Sequence, residues 1–164
     1  MSAVEKAAPA VTTPAIGQAY GGGFVTGIIR DPMTGKRSLH ITAGAAHELV
    51  GKWGEYGVKI EGADSLTDSR ANTQAMAEAG SDLAAKVLAL NIDGFTDWAI
   101  PARDVQELQH RHFKPTTEEN WENSRNGDNP HSEPVGQLYS AEDPLQTVHV
   151  AFQEGGTEAF RNTW

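Results

Sequence analysis

The sequence predicts a mixed α+β domain, loop-rich and built on a small antiparallel sheet. Three observations carry this. Two runs of β-branched and aromatic residues flank a Pro/Gly turn near the start of the chain. Apolar residues then recur at helical spacing between Asp68 and Arg111. Glycine is abundant, 17 of 164 residues, while hydrophobic residues make up only 38%, which disfavours a long helical bundle.

Each element has its own signal. Residues 1–20 are rich in Ala, Pro and Thr and poor in large apolar residues, so they read as an extended arm. Such a segment buries little of itself, and the expectation is that it contacts other chains. "GGGFVTGIIRD" is a strand entered through glycines, "DPMTGKR" a turn, and "SLHITAGAA" the returning strand of a hairpin. "GKWGEYGVKIEGADS" reads as loop with a short strand around Val58–Ile60. From Asp68, Ala71, Ala75, Met76 and Ala79 mark a helix, broken at Gly80, with Ser81 placed to cap a second segment carrying Leu83, Ala84, Val87, Leu88 and Leu90. Another helix is expected from about Ala102 to Arg111. The polar stretch "KPTTEENWENSRNGDNPHSEPVGQ" exceeds a simple connection and is expected to be functional or partner-bound. "TVHVAFQ" alternates and reads as a strand.

Charge and composition exclude several classes. A net charge of −9 argues against a phosphate-backbone partner, so no nucleic acid is expected. Cysteine is absent, which removes disulfides, thiolate catalysis and Cys-based zinc sites. The first twenty residues lack the charged start and apolar core of a signal peptide, and no apolar run reaches membrane-spanning length.

Candidate chemistry is thin. His110 and His112 lie two apart, which on a helix separates them by about 200°, so a shared metal ion is not expected. Asn91–Asp97 lacks the register and closing Glu of a calcium loop; Gly94 there reads as the end of a helix. Glu118, Glu119 and Glu122 cluster near Trp121, a pattern compatible with sugar binding or cleavage but far more often that of a solvated acidic loop. Gly21–Gly23 does not open a helix, and no G-x-S-x-G is present. No catalytic residue, metal or cofactor is assigned.

The most specific stretch is Leu90…Gly94-Phe95-Thr96-Asp97-Trp98-Ala99-Ile100-Pro101-Ala102-Arg103…Glu107-Leu108. It resembles the core motif of the Lcl C-terminal domain family, roughly a helix, G-[YF]-x-D-W-R-L-P-T-x-x-E-L, and a second helix. The Gly-rich first strand and "SRANTQAMAEAGSDLAAKVLAL" resemble phage-encoded members, and the likeness spans about residues 20–164. It implies a C-type-lectin-like fold, two helices packed on a small antiparallel sheet, with residues 1–20 as arm and 21–164 as domain. Physically the motif reads as a structural corner. Gly94 ends the first helix, Asp97 satisfies backbone donors, Trp98 is mostly buried between two helices, and Pro101 sets the entry to the next helix. Two positions depart from the pattern: Ala99 replaces an Arg, and Ala102 a capping Thr, which Asp104 in the first turn could partly replace. Members of the family it resembles continue with further strands beyond the point matching Trp164, so the resemblance implies either that the last strands are missing here or that another chain completes the sheet.

The resemblance implies a non-enzymatic phage virion protein, on the tail tip, fibre or capsid surface. It would serve host-surface attachment or virion assembly, with the N-terminal arm docking to other virion proteins. A homo-oligomer, no membrane insertion and a host cell-surface component as ligand go with it. The alternative is a particle-bound enzyme acting on glycans through the "EENWE" loop. A domain of the formylglycine-generating type shares the lectin-like fold, but its chemistry needs cysteine or copper ligation, and cysteine is absent.

Overall fold

In the computed structural model, residues 13–122 and 126–160 are described. Within them the chain is mixed α+β: four strands and three α-helices, in the order β1 (Ala19–Tyr20), β2 (Gly23–Arg30), β3 (Arg37–Ala43), α1 (Ser69–Glu78), α2 (Asp82–Leu88), α3 (Arg103–Phe113) and β4 (Ser132–Glu133). The sheet is antiparallel with β2 at its centre. β3 lies along one side of β2, and β1 and β4 follow one another along the other.

The predicted hairpin is present. Arg30 pairs with Arg37, and the turn between them is organised by Asp31, whose Oδ1 accepts from Met33 N, Thr34 N and Thr34 Oγ1. The register shifts between Val25 and Gly27, a bulge. There Thr26 and Thr42 share a buried 2.5 Å hydrogen bond. Gly27 has φ +148°, and a Cβ at this position would meet Leu108 Cδ2 at 2.9 Å, so the glycine admits α3 onto the sheet. Ile29, Ala102, Val105 and Leu108 form the core between β2 and α3. At the far end of α3, Phe113 stacks on Phe152 at 4.0 Å, and Phe24 meets Phe152 edge-on.

The interruption at Gly80 is a complete C-terminal cap. Gly80, at φ +95°, donates to Ala77 O and Ser81 N donates to Met76 O. Ser81 then caps α2, its Oγ accepting from Ala84 N. Asp68 caps α1 through Ala71 N.

Two expected strands are absent. Around Val58–Ile60 the chain is a coil, with Val58 exposed and Gly57 and Gly62 at positive φ, a path no ladder follows. "TVHVAFQ" contains a 3₁₀ turn, Val150–Phe152. Its alternation misled because Val148 and Val150 are exposed, while Thr147 and Phe152 are the buried residues of the run. Of the expected arm, residues 1–12 lie outside the described residues. Gly17 and Gln18 already bond to Val25 and lead into β1, so the last part of residues 1–20 belongs to the sheet.

Candidate functional site: a groove between the β3 edge and the Phe95–Pro101 corner

The motif corner is built differently from its sequence reading. Helix α2 ends at Leu88, capped at Ala89, well before Gly94. Asp93 (φ 52°) and Gly94 (φ 87°) instead form a two-residue turn between Ile92 and Phe95, which exchange backbone hydrogen bonds. Gly94 is therefore a hairpin glycine rather than a helix terminator. Asn91 Oδ1 accepts from Gly94 N and steadies the turn.

Asp97 is exposed and accepts no hydrogen bond among the described residues, so it does not hold the corner. Helix α1 does. Arg70 Nη1 donates to the carbonyls of Thr96 and Trp98, each at 3.1 Å. Ile100 N donates to Thr73 Oγ1 at 2.9 Å, and Ala102 N to Ser69 Oγ at 2.9 Å. Ala102 is the N-cap of α3 and supplies no side-chain bond, so Ser69 takes over one orphan amide from outside the helix. Arg70 thus brings a cation to the corner, where residue 99 is Ala. Pro101 precedes the N-cap as expected of a helix entry.

Trp98 is mostly buried, as its alternation with Ile100 suggests, but it is not fully enclosed. Its indole N–H donates to Phe95 O at 3.0 Å, and its ring lines a groove of about 740 Å³. Tyr20, Phe95, Asp97 and Arg70 share the lining, with Val105 and Gln109 of α3 at its base. The opposite bank is Ser38–Ile41 of β3. Successive side chains on a strand point to opposite faces. Four consecutive residues lining one groove therefore place the strand's edge, not one of its faces, against the opening.

That edge is bare. Arg30 N donates to His131 O on the β4 side of β2, Val25 N to Gln18 O on the β1 side, and Asp31 N to Lys36 O toward β3. The alternation of an antiparallel ladder, with one bulge, then turns the backbone groups of Ser38, His40 and Thr42 toward β2. Those of Arg37, Leu39, Ile41 and Ala43 point away from it. No described residue bonds to them or pairs along that side.

The other expected chemistry lies elsewhere. His112 Nδ1 bonds Thr26 O at 2.6 Å, and His110 lies against Tyr139. Burial pushes both imidazoles below their usual pKa. Among the described residues, no three His, Asp or Glu side chains gather as for a metal ion. Glu118, Glu119, Trp121 and Glu122 are exposed and line neither this groove nor the second one, of about 880 Å³, between residues 50–61 and the α1–α2 junction.

A buried polar network under the long loop was not legible from the sequence. Asp104 is fully buried; its carboxylate takes Arg103 Nη1 and His131 Nδ1, each at 2.6 Å. It is committed to these partners rather than serving as a replacement cap. Glu107 accepts from Arg111 Nε at 2.8 Å, Asn129 Nδ2 at 2.6 Å and Tyr139 OH at 3.1 Å. Burial, then the Glu107 charge, pushes the Tyr139 phenol well above its ordinary pKa. Ser132, next to His131 in sequence, is 1% exposed, and its Oγ is committed to Asn129 O, Pro134 O and Gly136 N. The network is an anchor for the loop.

Compared with family models, curated proteins and solved structures, the chain matches none.

Proposed function

We propose that this chain is a non-enzymatic phage virion protein with a C-type-lectin-like domain, and that its groove between the β3 edge and the Phe95–Pro101 corner is a docking site in host attachment or virion assembly. The single observation that supports it most is that Trp98, mostly but not fully buried, lines a groove at the stretch that resembles the Lcl C-terminal pattern. A fully enclosed indole would belong to the core alone; one that lines a groove with Tyr20, Phe95 and Arg70 adds to a surface that offers apolar area, a cation and hydrogen-bonding edges to a partner. The reading treats the protein as an oligomeric particle component without cofactor or metal.

The test is retention. Purified protein is incubated with phage particles and with host cells, and the bound fraction is compared with that of Arg70→Gln and Asp97→Arg. Retention of the wild type on either, reduced at least fivefold in Asp97→Arg, is the expected result. No retention on particles or on cells would sink the reading. The glycan-cleaving alternative is checked with Glu118→Gln and Glu119→Gln: loss of reducing-end release from host glycans in these variants would favour it.

A further inference from the structure

We infer that the outer edge of β3 is a strand-addition site, and that its occupant is the N-terminal segment, residues 1–12, of a second copy of this chain. The inference deepens the assembly half of the proposed function and rests on it for the partner's identity; the edge itself is independent of that reading.

The edge calls for a peptide because only a backbone matches it. Outward-facing N–H and C=O groups on Arg37, Leu39, Ile41 and Ala43 recur every second residue along a strand of seven. A strand laid beside them at about 4.8 Å satisfies them in register. Natural edges are commonly blunted by charge, proline or a covering element. Here Leu39 and Ile41, in the middle of the edge, carry neither charge nor proline and are half-buried. Arg37, the charged residue, is drawn to Glu133 at 2.6 Å. The groove beside the edge leaves room for an added chain, and Phe95–Trp98 and Arg70 form its far wall. A single extended segment can lie between those two banks, where a globular surface is too broad to enter.

The N-terminal segment fits that space. Met1–Ala8 is a proline-free run, long enough to pair with the whole of β3, and Pro9 ends it. Its side chains are mostly Ala, Ser and Val, small enough to lie against an aromatic wall. A second copy is the source because of where the segment is tethered. Gly17 and Gln18 bond to Val25 on the side of β2 away from β3. Within one molecule the segment would have to cross the sheet, whose core-facing side α3 covers, before reaching the outer edge. A neighbour's groove imposes no crossing.

The experiment uses the full chain and a variant lacking residues 2–12, compared by light scattering and hydrogen exchange, plus a synthetic peptide of residues 1–12. Expected: the full chain self-associates and the shortened one does not. The amides of Leu39 and Ile41 exchange at least tenfold more slowly in the full chain. The peptide restores that protection to the shortened chain, whereas the same peptide N-methylated at Val4 and Lys6 does not. The modified peptide needs no variant of the folded protein, so a folding defect cannot mimic the result. A monomeric full chain with protected Leu39 and Ile41 amides would overturn the second-copy assignment, because the segment would be lying on its own edge. Association with fast exchange at those amides would overturn the edge. If the edge fails while wild-type protein is still retained on particles and Asp97→Arg is not, the proposed function stands without it.

Discussion

At the residue scale, the corner that opens α3 shows how position, not identity, sets a side chain's role. Trp98 looks like core from its alternation with Ile100, and most of it is buried, yet it also lines a groove. Trp98→Ala is therefore expected to cost about 1–3 kcal/mol, since only part of the ring's area leaves water on folding. Leu108→Ala, at the centre of the β2–α3 core, should cost about 2–5 kcal/mol. Urea unfolding of the two variants checks the order; Trp98→Ala as the costlier change would return the indole to the core. His112 provides a second residue-level test. Burial holds its folded pKa below the unfolded value of about 6.5. The unfolded chain then binds the proton first, so stability is full above that value and falls as pH drops through it. Melting temperature should fall between pH 7.5 and 5.5, and His112→Asn should make the slope shallower without removing it, because burial lowers His40 and His110 too.

At the element scale, local signals were legible and distant ones were not. The β2–β3 hairpin, the stop at Gly80 with its restart at Ser81, and α3 all followed from neighbours in sequence. The Asp93-Gly94 pair was a hairpin signal in plain view, outweighed by the helix just before it. What holds the corner could not be read, because Ser69, Arg70 and Thr73 act on residues 26–33 positions away. The same is true of the loop anchors, where Asp104 meets His131 and Glu107 meets Asn129 and Tyr139 across 22–32 positions. Nothing in a periodic pattern marks an Asp or Glu for burial on a helix. Removing one member of such a pair weakens the hold on its partner, so Glu107→Gln, which leaves the Arg111 guanidinium only the more distant Asp143 carboxylate at 3.8 Å, is expected to cost about 3 kcal/mol. Amide exchange over 126–143 should quicken in that variant while exchange in β2 is unchanged at equal stability. Unchanged loop exchange would mean that the apolar contacts, not the network, hold the loop.

At the scale of the whole molecule, one core joins β2, α3 and the Phe113–Phe152 stack, while residues 48–62 lie outside it with Val50, Trp53, Tyr56 and Val58 exposed. Exchange should therefore be slowest in β2 and α3 and fastest in 48–62. Uniform protection would contradict this partition. The long loop holds a further consequence. Its anchors reach mostly for main-chain carbonyls: Arg111 for Gly127 and Gln137, Lys114 for Glu118 and Pro144, Asn120 for Ser140, Ala141 and Pro144, and Asn129 for Asp104. A carbonyl is offered by every residue type. The chain's path over this surface is thus fixed by a few donors that are blind to the side chains they hold in place. Thr117, Glu119, Trp121, Glu122, Val135 and Leu138 all face solvent along that path. They can be exchanged in combination without disturbing the scaffold, so a library randomised at these six positions should yield mostly folded members, each displaying a different surface on the same frame.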